Sequence, residues 1–233
     1  MDSTIQERPK MKTLDQIAIQ HGTDKSSKSH HYTKWYETYL EDKRNENLTV
    51  LELGWGGHEN PDDGGASAKM WRDYFPNATI VCIDIEEKNI TKAHDGVNFR
   101  QGSQSDPEFI QSLVDEFGEF DLIVDDASHV SSLTIKSFEL LYDHLKSGGL
   151  YVVEDTHMAY HDFWYGKEEA NENPDLNGTE SETAMNFFKR LSDEVNFRGR
   201  WDSEWDLFPS KYAMGYKLEF IHFYFNILFL QKR

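Results

Sequence analysis

The sequence predicts an α/β fold: a mostly parallel, seven-stranded sheet with helices on both faces and an antiparallel hairpin at its C-terminal end. Three observations predict it. From Leu48 onward, short apolar runs alternate with helical patterns, which is how βαβ units are written. These units recur at intervals of about 25 to 30 residues, the spacing of a doubly wound sheet. Finally, Tyr216 to Leu230 is an aromatic-rich stretch long enough for two strands turning near Phe225-Asn226.

Taken in order, residues 1–45 are polar and aromatic and predict an N-terminal helical cap segment, with a helix over Tyr32 to Leu40. Residues 46–233 form the α/β domain. Five parallel strands are expected at Val50–Leu53, Ile80–Asp84, Val97–Arg100, Leu122–Asp125 and Leu150–Glu154. Between them, helices are expected over Ala66–Phe75, closed by Pro76, over Pro107–Phe117, closed by Gly118, and over Ser132–Leu145, closed by Gly148-Gly149. Proline at a helix start and glycine at its end are where backbone donors and left-handed geometry favour them. Ser181 to Val195 carries Met185, Phe188, Leu191 and Val195 at helical spacing. The stretch 161–180 before it predicts a long loop, the usual place for a lid.

Composition bounds the function. The 233 residues carry 24 Lys and Arg against 42 Asp and Glu, a formal charge of −18. Such a balance argues against nucleic acid and against an anionic membrane surface, both of which are gripped by clustered cations. The apolar and aromatic content suffices for one sizeable core. A single cysteine, Cys82, cannot form an intrachain disulfide and suits a reducing compartment. No apolar run reaches the roughly 20 residues of a spanning helix, and the N-terminus lacks the order of a secretory signal. A soluble, cytoplasmic protein is expected. A homo-oligomer is compatible with the sequence.

The turn after the first strand, Leu53-Gly54-Trp55-Gly56-Gly57, brings backbone close to a ligand beside a helix N-terminus. Asp84, at the end of the second strand, stands where nucleoside-binding sheets accept ribose hydroxyls. The loop that follows the glycines is long, so a diphosphate fits it less well than a phosphate-free nucleoside such as S-adenosylmethionine. A second cluster lies at the carboxyl ends of strands four and five, Asp125-Asp126-Ala127-Ser128-His129 and Glu154-Asp155. Ligands of open parallel sheets sit outside such ends. Carboxylates converging there suit Mg²⁺, or Mn²⁺ in its place, rather than zinc. His129 is placed to take a proton from a weakly acidic hydroxyl. Ser128 beside it is no nucleophile, because no strained serine elbow surrounds it.

Several motifs together resemble the sugar O-methyltransferases of macrolide biosynthesis, of the mycinamicin type. They are Gly22-Thr23-Asp24-Lys25, Tyr32-Thr33, Leu51-Glu52-Leu53-Gly54, Gly64-Gly65-Ala66-Ser67, Trp71-Arg72-Asp73-Tyr74-Phe75-Pro76, Gln104-Ser105-Asp106, the two acidic clusters and His222-Phe223-Tyr224. The likeness runs from about residue 20 to the C-terminus, without the N-terminal auxiliary domain of the mycinamicin enzyme. It implies a Rossmann-like class I methyltransferase fold, S-adenosylmethionine as donor and Mg²⁺. By position it implies Asp126, Glu154 and Asp155 as metal ligands and His129 as general base. It implies Glu52, Gly54, Ser67 and Asp84 around the donor, with Gln104 and Thr23 as additions. Ala127 stands where the family usually has glycine, and Trp55 is bulkier than usual in the glycine turn.

The expected function is therefore methyl transfer to the hydroxyl of a rhamnose-like 6-deoxyhexose in a glycoside or glycan. Aromatic residues of the 157–165 segment, Trp164 among them, would stack on the sugar. Two other classes share this sheet topology or its nucleoside site. A nicotinamide-dependent reductase would need a tight Gly-x-Gly-x-x-Gly and a Tyr-Lys pair, and a non-catalytic nucleoside-binding protein would not need the metal and base residues.

Overall fold

The computed structural model describes residues 11–58, 60–90, 96–160, 183–197 and 215–233. The loop expected over 161–180, with Trp164, lies outside them. The elements in chain order are α1 (Leu14–His21), α2 (Thr33–Leu40), β1 (Thr49–Leu53), α3 (Ala66–Tyr74), β2 (Thr79–Asp84), β3 (Val97–Gln101), α4 (Pro107–Phe117) and β4 (Phe120–Asp125). They continue with α5 (Ser131–Leu141), β5 (Leu145–Glu154), α6 (Ala184–Arg190), α7 (Ser192–Phe197), β6 (Leu218–Tyr224) and β7 (Ile227–Lys232). One sheet is built in the order β3-β2-β1-β4-β5-β7-β6. Neighbours among β1 to β5 run parallel, and β7 runs antiparallel to both β5 and β6. The chain leaves β1 toward β2 and β3 on one side and returns to β4 and β5 on the other. A crevice therefore opens at the carboxyl ends of β1 and β4.

Strand residues alternate between two apolar layers, as the period of two requires. Leu51, Leu53, Ile123 and Val153 pack with Phe138, Phe187 and Phe188 on one face. Val50, Leu122, Val124 and Val152 pack with Leu14, Tyr36, Trp71 and Phe229 on the other. The N-terminal segment is thus part of the main core, and each such buried side chain contributes about 1.5–3 kcal/mol relative to exposure. Among the described residues, no helix is long and apolar enough to cross a membrane.

Three elements differ from their sequence reading. Helix α1 was not expected, yet its ends are well marked. The Thr13 hydroxyl accepts the Gln16 N–H, the Gln16 side chain answers on the Thr13 N–H, and Gly22 at φ 72° closes the helix with its N–H on Ala18 and Ile19 carbonyls. The helix before β5 stops at Leu141, tightens through one 3₁₀ turn at Tyr142–His144, and gives way to strand at Leu145. Leu145 pairs with Phe120, and the register then shifts before Leu122 meets Leu150, so Gly148, at φ 77°, lies within the strand rather than after a helix. The helix expected over 181–195 is two, α6 capped by the Thr183 hydroxyl on the Asn186 N–H, and α7 starting beyond Leu191.

Candidate active site

The crevice is closed at its floor by contact between two strand ends. The Asp126 N–H donates to the Leu53 carbonyl at 3.0 Å, and the Gly54 N–H to the Ile83 carbonyl at 2.9 Å. Gly54 sits at φ 99°, and a Cβ there would lie 2.1 Å from the Asp126 carbonyl oxygen. Only glycine permits this approach. Asp84 stabilises the turn: one carboxylate oxygen accepts the Trp55 N–H and the other the Glu86 N–H, both at 2.9 Å. Trp55 itself is buried beneath Gly64 and Gly65, edge-on to Phe99.

The pleat turns Glu52 away from Leu51 and Leu53, onto the α1–α3 face, where it is fully buried. Trp71 Nε1 donates to its Oε1 at 3.3 Å, and Lys25 Nζ lies 3.6 Å from the same oxygen. Its Oε2 is buried without a hydrogen-bond partner among the described residues. Burial pushes the Glu52 carboxyl up to about 7, against the opposing pull of Lys25 and of Ser67 beside it.

Lys25 is itself fully buried, with its ammonium 2.5 Å from Asp126 Oδ2 and 2.6 Å from Glu154 Oε2. Burial alone would favour the neutral amine. Asp126, Glu154 and Glu52 overcome it and hold the ammonium well above the usual lysine range. The other oxygen of Glu154 takes the Tyr36 hydroxyl. Tyr32 Oη lies 2.6 Å from Asp155 Oδ1.

Past the ends of β4 and β5, Asp126, His129 and Asp155 form a group whose candidate ligand atoms all lie within 4.8 Å of one another. His129 Nε2 is 3.9 Å from Asp126 Oδ1 and 3.7 Å from Asp155 Oδ2. Both His129 and Asp155 adopt left-handed backbone, at φ 55° and 50°. Non-glycine residues in that region cost stability and concentrate where geometry serves function. A shallow cleft adjoins the group, lined by His129, Glu154, Asp155, Ala159, Met185 and Phe188.

No family model matches the chain. It is 35% identical over 222 residues to the 8-demethyl-8-(2-methoxy-alpha-L-rhamnosyl)-tetracenomycin-C 3'-O-methyltransferase of Streptomyces olivaceus, covering 94% of this chain and 53% of that protein. It is 32% identical over 224 residues to the mycinamicin VI 2''-O-methyltransferase of Micromonospora griseorubida, covering 94% of this chain and 52% of that one. Among solved structures, the MycE methyltransferase from the mycinamycin biosynthetic pathway, in complex with Mg, SAH and mycinamycin VI, superimposes with a TM-score of 0.75 at 29% identity, over 96% of this chain and 55% of that one. Over most of its length, then, the chain is similar to O-methyltransferases whose names specify a sugar. It spans about half the length of the curated relatives it matches. The class I methyltransferase fold is shared more widely: the SAH-bound Podospora anserina methyltransferase PaMTH1 superimposes with a TM-score of 0.52 at 15% identity.

Set beside the sugar O-methyltransferase expectations, the structure brings Asp126, His129 and Asp155 together and sets Glu154 behind them, with Lys25 and Tyr36 on its two oxygens. It places Glu52 and Ser67 side by side at the crevice floor. Gln104 is 8% exposed and engaged at both ends of its amide: Oε1 accepts the Ser128 N–H at 3.2 Å, while Nε2 faces Asp125 and Ser137. Thr23 Oγ1 accepts the Lys25 N–H at 3.4 Å. The bulk of Trp55 fills the space under the glycine loop, against Ala68 and Cys82.

Sequence reasoning assigned no role to Lys25, Tyr32 and Tyr36, which contact Asp126, Glu154 and Asp155, although Lys25 and Tyr32 lie in the motifs of the resemblance. It also passed over Asp125, which accepts the Ser137 hydroxyl at 2.5 Å and which burial pushes up to about 6.

Proposed function

We propose that this chain is the catalytic part of a Mg²⁺-dependent methyltransferase that moves a methyl group from S-adenosylmethionine to a sugar hydroxyl, on a rhamnose-like 6-deoxyhexose of a glycoside or glycan. The observation that carries this reading is the Asp126, His129 and Asp155 group beside a cleft at the carboxyl ends of β4 and β5, with the buried carboxylate of Glu52 in the neighbouring strand β1. The names of the relatives, all O-methyltransferases and several specifying a sugar, support the same chemistry.

The donor set fits a magnesium ion. Asp126 and Asp155 each turn one oxygen toward His129 Nε2, and Mg²⁺ is commonly bound through one or two carboxylates while keeping several waters. Asp126 and Asp155 would hold it directly, with Glu154 acting from behind through Lys25. When bound, the ion supplies positive charge that makes a nearby hydroxyl more acidic, and the donor supplies an electrophilic methyl. The chain's own residues do the rest. His129 would accept the hydroxyl proton at Nε2. Met185, Phe188 and Ala159 exclude water from one wall of the cleft, and Glu52 offers a carboxylate to a cationic donor.

The assay is mass spectrometry of methyl transfer to a panel of deoxysugar glycosides, with and without Mg²⁺. Product formation that requires the metal is expected. Transfer that survives chelation would overturn the metal, and no transfer without loss of donor binding would favour the non-catalytic alternative.

Glu52 gives a pH dependence with a definite sign. With its carboxyl at about 7, it is mostly protonated at pH 6 and mostly ionised near pH 8. A sulfonium donor favours the ionised form, so donor affinity should rise as pH increases through this window, by up to about tenfold per unit on the acid side. Calorimetric titration of Glu52→Gln should show weaker binding and no slope.

A further inference from the structure

The N-terminal motifs Gly22-Thr23-Asp24-Lys25 and Tyr32-Thr33 supply a cation and a hydroxyl that touch the carboxylates of the site. The two outer carboxylates are used in the same way. Asp126 gives Oδ2 to Lys25 Nζ and leaves Oδ1 toward His129. Asp155 gives Oδ1 to Tyr32 Oη and leaves Oδ2 toward His129. In each, one oxygen is anchored by the N-terminal segment and the other is presented to the site.

That segment is rigid enough to serve as an anchor. The Lys25 carbonyl accepts the N–H groups of Tyr32 and Thr33, at 2.9 and 3.1 Å. Asp15 of α1 accepts the Ser27 N–H at 2.6 Å, the Ser27 hydroxyl at 2.7 Å and the Thr33 hydroxyl at 2.9 Å. Tyr32 is 1% exposed and Lys25 fully buried.

We infer that Lys25 and Tyr32 are positioning residues of the metal centre, which fix the rotation of the Asp126 and Asp155 carboxylates so that one oxygen of each faces the ion. This rests on the reading that these two aspartates hold a divalent cation. Partners behind metal ligands of this kind typically set affinity by 10- to 100-fold. Tyr32→Phe is the cleaner probe, because it removes one hydroxyl without changing charge or ring volume, whereas loss of Lys25 strands Glu52 and Glu154 without a cation.

The test is Mn²⁺ titration by electron paramagnetic resonance, with no donor or acceptor present, on the unaltered protein, Tyr32→Phe and Tyr39→Phe. Tyr39 lies on α2, which Tyr32 immediately precedes, but its hydroxyl bonds His222 and Tyr224 instead of the site carboxylates. Binding to Tyr32→Phe should weaken about tenfold or more, with circular dichroism and melting temperature showing a folded protein, while Tyr39→Phe should bind as the unaltered protein does. Equal affinity in Tyr32→Phe and the unaltered protein would overturn the positioning role. Absence of Mn²⁺ binding in the unaltered protein would instead overturn the metal reading on which it rests.

Discussion

His129→Asn abolishes turnover while leaving donor binding intact: kcat falls about 10²- to 10⁴-fold, the range removed with a general base. Asparagine is the informative replacement. His129 sits at φ 55°, in the left-handed region that asparagine tolerates far better than alanine does, so the loop from Asp126 to Ser131 keeps its course. The amide cannot accept a proton at neutral pH, so what is lost is the base and not the scaffold. Calorimetry with S-adenosylmethionine should return a dissociation constant within about twofold of the unaltered protein, since His129 lies beside Asp126 and Asp155, past the ends of β4 and β5, and Glu52 and the glycine turn belong to β1 and its end. Full turnover in this variant would remove His129 from the mechanism. Loss of donor binding along with turnover would show that the loop, rather than the base, had been damaged.

The sheet was legible because its information is local. Apolar runs such as Ile80–Ile83 and Leu122–Val124, separated by amphipathic helices, specify parallel strands without knowledge of their partners. Helix α1 was missed because only Leu14, Ile17 and Ala18 of its residues are buried, too short a stripe to read as periodicity. Its signals were the Thr13 and Gln16 pair and Gly22. The site divides in the same way. Asp126, His129 and Asp155 follow from their places at the ends of neighbouring strands. Lys25, Tyr32 and Tyr36 do not, because their contacts cross 101 to 129 positions of sequence and depend on how the N-terminal segment packs against the sheet. Nor does any sequence rule separate the roles of Glu154 and Asp155. Glu154 is still in β5, with Lys25 and Tyr36 on its oxygens, whereas Asp155 follows the strand with a positive φ and has Oδ2 3.7 Å from His129 Nε2.

That separation has a consequence for metal binding. Asp155→Asn should weaken Mn²⁺ or Mg²⁺ binding by about 100-fold or more, because it removes a full negative charge from a group that faces the ion directly. Asparagine again suits the left-handed backbone, here at φ 50°, and its carbonyl can still accept the Tyr32 hydroxyl, so the position of the side chain is retained. Glu154→Gln is the matched comparison. It removes the same charge one residue away, but from a carboxylate with Lys25 and Tyr36 on its oxygens, and its effect reaches the ion only by way of the Lys25 ammonium. The loss of affinity in Glu154→Gln should therefore be several-fold smaller than in Asp155→Asn, as read by Mn²⁺ titration on folded protein. Equal losses would mean that Lys25 gives way when the ion arrives and that Glu154 ligates it alongside Asp126 and Asp155. The affinity of Asp155→Asn decides the larger question: if it binds the ion as tightly as the unaltered protein, the carboxyl ends of β4 and β5 are not the metal centre.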